Sequence, residues 1–233
     1  MINTERLIAR AAERGVEVSA EVAERVDRFC EMVLKTNEQF NLTAITDADE
    51  MEEKNALDCL MLLPYLPQGA RLADVGTGAG FPGVVLKLAR PAQDITLIEA
   101  TDKKLRFAER AAAELGCPVT AVHLRGEEAA RSELREQFDI VTARAVAALP
   151  ALLEYTLPLV MVGGTLLAMK GAGAADEVAA AENALKVLGG KVEAVHTLQL
   201  PTAGERAIVQ VKKISQCSAK YPRPSKNIRK NPL

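Results

Sequence analysis

The chain has only two histidines, His123 and His196, and four cysteines, Cys30, Cys59, Cys117 and Cys217, that stand far apart. With no Cys-x-x-Cys pair and no histidine cluster, neither a metal site nor a disulfide framework has the spacing it needs. Reduced thiols predict a cytoplasmic protein without a metal. Long apolar runs are also missing. The stretch from Ala151 to Met169 is broken by Glu154, Pro158, Gly163 and Gly164, too often for a membrane helix. The N-terminus carries Glu5, Arg6 and Arg10 in an amphipathic pattern and lacks the apolar segment of a signal peptide. No membrane association is expected.

What is present is enough for one full core: 233 residues, 48% of them hydrophobic. The net charge of −2 conceals an uneven distribution. From Arg206 onward there are eight Lys or Arg and no acid, which leaves 21 basic and 31 acidic residues before it. A basic terminus on an acidic body suits a polyanion such as nucleic acid, and suits a merely solvated tail equally well.

Three regions follow from the patterning. Residues 1–65 read as a helical extension, with Leu7, Ile8 and Ala11, then Val22, Val26, Phe29 and Val33, at helical spacing. Ser19 is a credible N-cap, and Thr46 or Asp47 caps a helix that runs through Leu63 to Pro64. Residues 66–214 alternate short apolar strands with helices, expected near 82–90, 102–115, 127–136, 149–161 and 174–188. Strands are expected at 72–75, 95–99, 119–123, 138–142, 165–170, 191–198 and 207–214. This alternation predicts an α/β, Rossmann-like fold, a seven-stranded mostly parallel sheet. The last two strands lack an intervening helix, and Pro201–Gly204 reads as a hairpin, so the final strand should be antiparallel. Residues 215–233 form a basic tail.

The most informative segment is Leu72-Ala-Asp-Val-Gly-Thr-Gly-Ala-Gly-Phe-Pro-Gly, a strand end, an acid and alternating glycines ahead of an apolar helix. Gly76, Gly78 and Gly80 let the turn approach a ligand closely, and Pro82 fits a first helical turn. A Walker loop would need Gly-Lys-Ser/Thr, which is absent. The dinucleotide spacing fits formally only from Gly78, through Gly80 to Gly83, and Asp74 before the turn would repel a pyrophosphate. That acid suits the amino group and sulfonium of S-adenosylmethionine. Glu99 closes the second strand, where a carboxylate accepts from ribose hydroxyls. Gly126 and Glu127 follow the third strand, at the adenine edge.

The fourth strand ends in Thr142-Ala-Arg-Ala-Val. Asn-Pro-Pro-Tyr, which serves exocyclic amines, is absent there, and so is the Pro-Cys of thiolate attack on pyrimidine C5. A ring nitrogen with its own lone pair, such as guanine N7, needs positioning and water exclusion rather than a general base. No catalytic acid or base is therefore assigned.

These residues resemble the RsmG/GidB family of bacterial 16S rRNA guanine-N7 methyltransferases. The resemblance runs through Asn41-Leu-Thr-Ala-Ile-Thr-Asp, Leu57-Asp58, Asp74–Gly83, Glu99-Ala-Thr with Lys103-Lys104, and Arg125-Gly-Glu. It continues through Ala143-Arg-Ala-Val, Met169-Lys-Gly, Gly204-Glu-Arg and Tyr221-Pro-Arg, over about four-fifths of the chain. It implies a class I methyltransferase fold, with Gly76, Phe81, Glu99, Ala100, Thr101, Gly126, Glu127 and Arg144 lining the S-adenosylmethionine pocket, to which the reading of the loop adds Asp74, Gly78 and Gly80. It also implies a guanine of the 530 loop as substrate, in 16S rRNA or the 30S subunit. Arg125, Arg144, Lys170, Arg206, Arg223, Lys226, Arg229 and Lys230 are the candidates for rRNA phosphates. A monomer is expected. A small-molecule methyltransferase and a noncatalytic RNA-binding assembly factor are the competing readings.

Overall fold

The computed structural model describes residues 1–233. Two helices, α1 (Thr4–Ala12) and α2 (Ala20–Asn37), open the chain, capped by the side chains of Asn3 and Ser19, which accept from Arg6 N and Val22 N. Next comes one continuous helical segment: α3 (Ala48–Glu50), a π-helical stretch (Met51–Leu57) and α4 (Asp58–Leu60). Asp47 caps it, its Oδ1 accepting from Asp49 N and Glu50 N. The helix ends at Leu60 rather than Leu63, and Pro64 sits in a short 3-10 turn.

The core then alternates β1 (Arg71–Val75), α5 (Gly83–Ala89), β2 (Asp94–Ile98), α6 (Asp102–Glu114), β3 (Thr120–Val122), α7 (Gly126–Ala129) and β4 (Phe138–Arg144). It continues with α8 (Leu149–Thr156), β5 (Val160–Gly171), α9 (Ala174–Ala180), α10 (Glu182–Leu188), β6 (Gly190–Leu200) and β7 (Gly204–Lys213). A last helix, α11, spans Ser225–Lys230. The seven strands lie in the order β3-β2-β1-β4-β5-β7-β6, with β7 alone antiparallel, inserted between β5 and β6. The expected sheet is therefore present. Strand order reverses between β1 and β4, and ligands in such sheets bind beyond the strand ends at that point.

Three helix expectations are corrected. The helix expected at 127–136 is only the four-residue α7, Gly126–Ala129, because Ser132 and Leu134 are engaged in local side-chain turns, the Ser132 hydroxyl donating to Ala129 O and accepting from Leu134 N. The helix expected at 149–161 stops at Thr156, since β5 starts at Val160, which pairs with Phe138 across an irregular register. The helix expected at 174–188 breaks in two at Ala181.

Both sheet faces are apolar, so alternate residues of one strand enter opposite cores. In β5, Leu167 and Met169 join the core beneath α1, α2, α5 and α6, while Leu166 and Ala168 join the one beneath α8 and α10. Phe29 of α2 is fully buried between Phe81 and Phe107, with ring centroids 5.1 and 6.5 Å away. The N-terminal extension is thus part of the main core.

Two ionic clusters hold the ends of the chain. Fully buried Glu52 accepts from Arg6 at 2.7 Å and Arg10 at 3.2 Å, tying α1 to the π-helical stretch. Its neighbour Glu53 accepts from Thr202 N and Ala203 N, both at 2.6 Å, and so grips the tip of the β6–β7 hairpin. Burial pushes the Glu53 carboxyl up, but the N–H groups of Ala203 and Thr202 and the charge of Arg10 hold it below its usual range.

At the other end, residues 215–233 dock onto the body. Glu154 of α8, fully buried, forms a two-pronged pair with Arg223 at 2.7 and 2.9 Å and accepts from Arg223 N at 2.7 Å. Arg135 donates to Tyr221 O and Cys217 O, and Arg131 to Pro222 O. Arg223 is therefore an anchor, and its assignment to rRNA phosphate is corrected. Arg223→Ala leaves a buried carboxylate unpaired and is expected to destabilise the fold by about 3 kcal/mol in urea unfolding. Exposed Lys220→Ala is expected to change stability by less than about 0.5 kcal/mol.

Candidate cofactor site

At the strand-order reversal, the turn from Gly76 to Gly80 folds back over the ends of β1 and β2. Gly76, Gly78 and Gly80 all have positive φ, 71°, 58° and 107°, which only glycine adopts at little cost. The reasons for glycine then differ. A Cβ on Gly76 would come within 2.6 Å of Val146, and one on Gly80 within 2.6 Å of Val84 and 3.0 Å of Phe29. At Gly78 a Cβ meets nothing within 4 Å, so this residue borders open space.

Asp74 lies beneath the turn rather than in the cleft, which corrects the expectation that it meets an amino group or sulfonium. It is fully buried; its Oδ2 accepts from Gly83 N at 2.8 Å and its Oδ1 from the Thr142 hydroxyl at 3.1 Å. One carboxylate thus joins β1, β4 and the start of α5. Pro82 occupies the cap of that helix and Gly83 its first residue. Burial raises the Asp74 carboxyl to about 6, against the opposing pull of its donors. The buried Thr77 hydroxyl lies beside this carboxyl and is foremost among the groups that hold it down.

Val146, against Gly76, divides the cleft. One half, about 220 Å³, is lined by Glu99, Ala100, Gly126 and Glu127 together with Arg125 and Arg229. Glu99 is 9% exposed; its Oε2 accepts from Gly78 N at 3.0 Å and its Oε1 from Thr101 N at 2.8 Å. Two carboxylate oxygens have about four acceptor sites, so capacity remains for hydroxyl donors. Thr101 serves this site through its backbone and does not line it. Glu127 is 8% exposed and accepts from no protein group. A Cβ on Gly126 would press on Val75 at 3.1 Å and Tyr155 at 3.4 Å, so the wall here is backbone.

The other half is larger, about 850 Å³, and is roofed by residues 42–45 and the π-helical segment. Arg144 spans it. Its guanidinium donates to Lys54 O at 2.6 Å and Asn55 Oδ1 at 2.7 Å, sits 3.6 Å from Asp58, and lies 5.5 Å over the Phe81 ring. The structure uses Arg144 chiefly to fasten roof to sheet. Phe81, 4% exposed, covers the floor while packing into the core. Ala145, between Arg144 and Val146, has a φ of 55°, an unusual value for a non-glycine residue.

Among the basic candidates, the Lys170 side chain is 7% exposed and bound to Glu177 at 2.6 Å and Ala147 O at 2.7 Å, so its assignment as a free phosphate-binding cation is corrected. Arg206 lines the larger half while donating to Ala203 O and Glu205 O. Arg125, Lys226, Arg229 and Lys230 are exposed, and their side chains form no ion pair. Sequence reasoning missed the roof residues Lys54 and Asn55, the wall residues Tyr155 and Ser225, and the role of Arg229 as lining. The quoted motif Leu57-Asp58 was the available signal for the roof.

The arrangement fits S-adenosylmethionine: a glycine cradle open at Gly78, Glu99 just beyond β2, and Glu127 in the short helix after β3. Comparison with known proteins agrees. The profile of a family described as rRNA small subunit methyltransferase G (GidB) matches residues 22–209. The chain is 41% identical over 230 residues to ribosomal RNA small subunit methyltransferase G of Geobacillus thermodenitrificans, covering 97% of each. It is 43% identical over 232 residues to the protein of that name from Symbiobacterium thermophilum, covering 95% of this chain and 94% of the relative. Among solved structures, Pyrococcus horikoshii TYW2 in complex with MeSAdo matches with a TM-score of 0.56 at 10% identity, over 69% of this chain and 63% of that one. The Bacillus subtilis M1A22 tRNA methyltransferase TrmK gives 0.55 at 15%, over 71% and 68%. These structures show the class I methyltransferase fold.

Asp74→Asn tests the floor. The amide keeps an acceptor for Gly83 N and a partner for Thr142, so the variant is expected to fold. In the wild-type chain the raised carboxyl binds its proton more tightly folded than unfolded, so its contribution favours folding near pH 4 and is lost as pH rises through about 6. Urea unfolding between pH 4 and 7.5 should show a flatter stability profile for the variant.

Proposed function

The chain belongs to the GidB family of rRNA small subunit methyltransferases, and we propose that the methyl group it transfers goes to N7 of a guanine in the 530 loop of 16S rRNA. S-adenosylmethionine, when bound, supplies an activated methyl group on its sulfonium. The observation that carries the reading is the two-part cleft at the β1–β4 reversal, with its smaller half lined by Glu99 and Glu127 and its larger half by the roof.

In this reading the residues divide by place. Glu99 takes the ribose hydroxyls, Glu127 and the backbone at Gly126 the adenine edge, and the Gly76–Gly80 turn with Thr77 the amino-acid end. The larger half receives the base. Its floor at Phe81 and roof at Lys54 and Asn55 exclude water, and Arg144 holds the two at a fixed separation. Guanine N7 carries its own lone pair, so alignment lowers the barrier where no proton has to be removed first. The absence of an assigned base follows from the acceptor, and Asp58 beside Arg144 has a structural ion-pair partner.

For the polyanion, exposed Arg125 and Lys226 and Lys230 of α11 flank the small half, while Arg206 borders the large one. The protein works in this reading as a cytoplasmic monomer on 16S rRNA or the 30S subunit.

Incubation with labelled S-adenosylmethionine and small-subunit rRNA is expected to place label at guanine N7, detected by cleavage specific to that modification. Label on an exocyclic amine or a ribose would overturn the assignment. Replacing Lys226 and Lys230 together with Ala is expected to weaken RNA binding and reduce the slope of log affinity against log salt by about 2. A filter-binding salt titration measures it.

A further inference from the structure

The basic terminus was expected as an arm for RNA, but its last helix stands against the smaller half of the cleft. Ser225 and Arg229 line that half together with Glu99, Gly126 and Glu127. We propose that α11 forms one wall of the adenosine site and that Arg229 is a cofactor-binding residue; the inference rests on the S-adenosylmethionine reading given above.

Three observations support it. The helix is placed by burial: Ile228 is 0% exposed and forms an apolar cluster with Ala151 and Tyr155 of α8. Tyr155 also contacts this half, its hydroxyl 3.5 Å from the Ser225 hydroxyl and its Cβ close to where a Gly126 side chain would begin. The entry to the helix is fixed separately, by the Glu154–Arg223 pair two residues before it. A six-residue helix has no stability of its own, so its position comes from these contacts.

The electrostatics give Arg229 its role. Two carboxylates, Glu99 and Glu127, face one small space, and Glu127 lacks a protein donor. A guanidinium on the same wall offsets that field, and it adds N–H donors and a flat cationic face in a space that takes an adenine ring with only acceptors along N1, N3 and N7. Arg229 forms no bond or ion pair inside the protein, so its donors are free for a ligand. The Arg229 cation thus serves the cofactor, whereas Lys226 and Lys230 on the same helix do not line the pocket.

S-adenosylhomocysteine, which has the same adenosine and no transferable methyl, is the probe. Calorimetric titration of the full chain should give about a tenfold weaker affinity for Arg229→Ala than for wild type, as expected for loss of one charge-assisted contact, with partial recovery in Arg229→Lys. Lys191→Ala, on the exposed face of edge strand β6, should match wild type. Hydrogen exchange supplies a readout independent of affinity: amides of residues 225–229 should slow when the nucleoside binds. Ile228→Asp, which undocks α11, should abolish both effects, and circular dichroism establishes that this variant keeps its sheet. A wild-type chain that fails to bind S-adenosylhomocysteine overturns the cofactor reading together with this inference. Wild-type binding with unchanged affinity in Arg229→Ala and no protection of 225–229 overturns this inference alone.

Discussion

The site depends first on one buried carboxylate. Asp74 ends β1, accepts from the Thr142 hydroxyl on β4, and accepts from Gly83 N at the start of α5. The three elements that meet at the strand-order reversal are therefore fixed to each other by charge-assisted hydrogen bonds in an interior that screens them weakly. Ionising a fully buried acid has a cost, visible in its raised proton affinity. The glycine turn above it is closed by its own bonds, Gly80 N and Phe81 N donating to Thr77 O, and Asp74 with Gly83 ties it to the helix that follows.

A second tier of ties connects this centre to the termini. Arg144 leaves β4 and fastens the π-helical roof, Glu53 of the roof holds the hairpin tip, and Glu154 of α8 holds Arg223. In each case a charged side chain bonds backbone groups or a bidentate partner, the geometry in which an ion pair is most specific. Burial is also nearly complete at Glu52, Glu53 and Glu154, so these acids act as structural fasteners and add little to the surface charge.

Sequence alone revealed the sheet, its antiparallel last strand and the glycine turn, because each has a local signature: short apolar runs alternating with helices, a hairpin without a helix, and spaced glycines. Ser19 and Asp47 were legible as caps for the same reason. The partners of charged residues were not legible. Lys170 and Arg223 look like surface cations in the sequence, and only the fold brings Glu177 beside one and Glu154 beside the other. Asp74 carries the right chemistry for a sulfonium, but the backbone turns its carboxylate inward. The short α7 and the break at Ala181 lay beyond local propensity, since Ala-rich and charged segments favour helix until tertiary contacts interrupt them.

The pairing of β7 with β5 ends at Gly171 and Arg206, and the β6–β7 tip continues past that point to reach Glu53. It works as a strut. Each residue of a strand adds about 3.3 Å, so adding or removing one matched pair of residues shifts the tip by that amount while leaving the sheet register beyond it intact. The roof rests on that tip and on Arg144, two supports set by unrelated parts of the chain. The height of the roof over the cleft therefore depends on the length of a hairpin at the far edge of the sheet as well as on the strands directly beneath it.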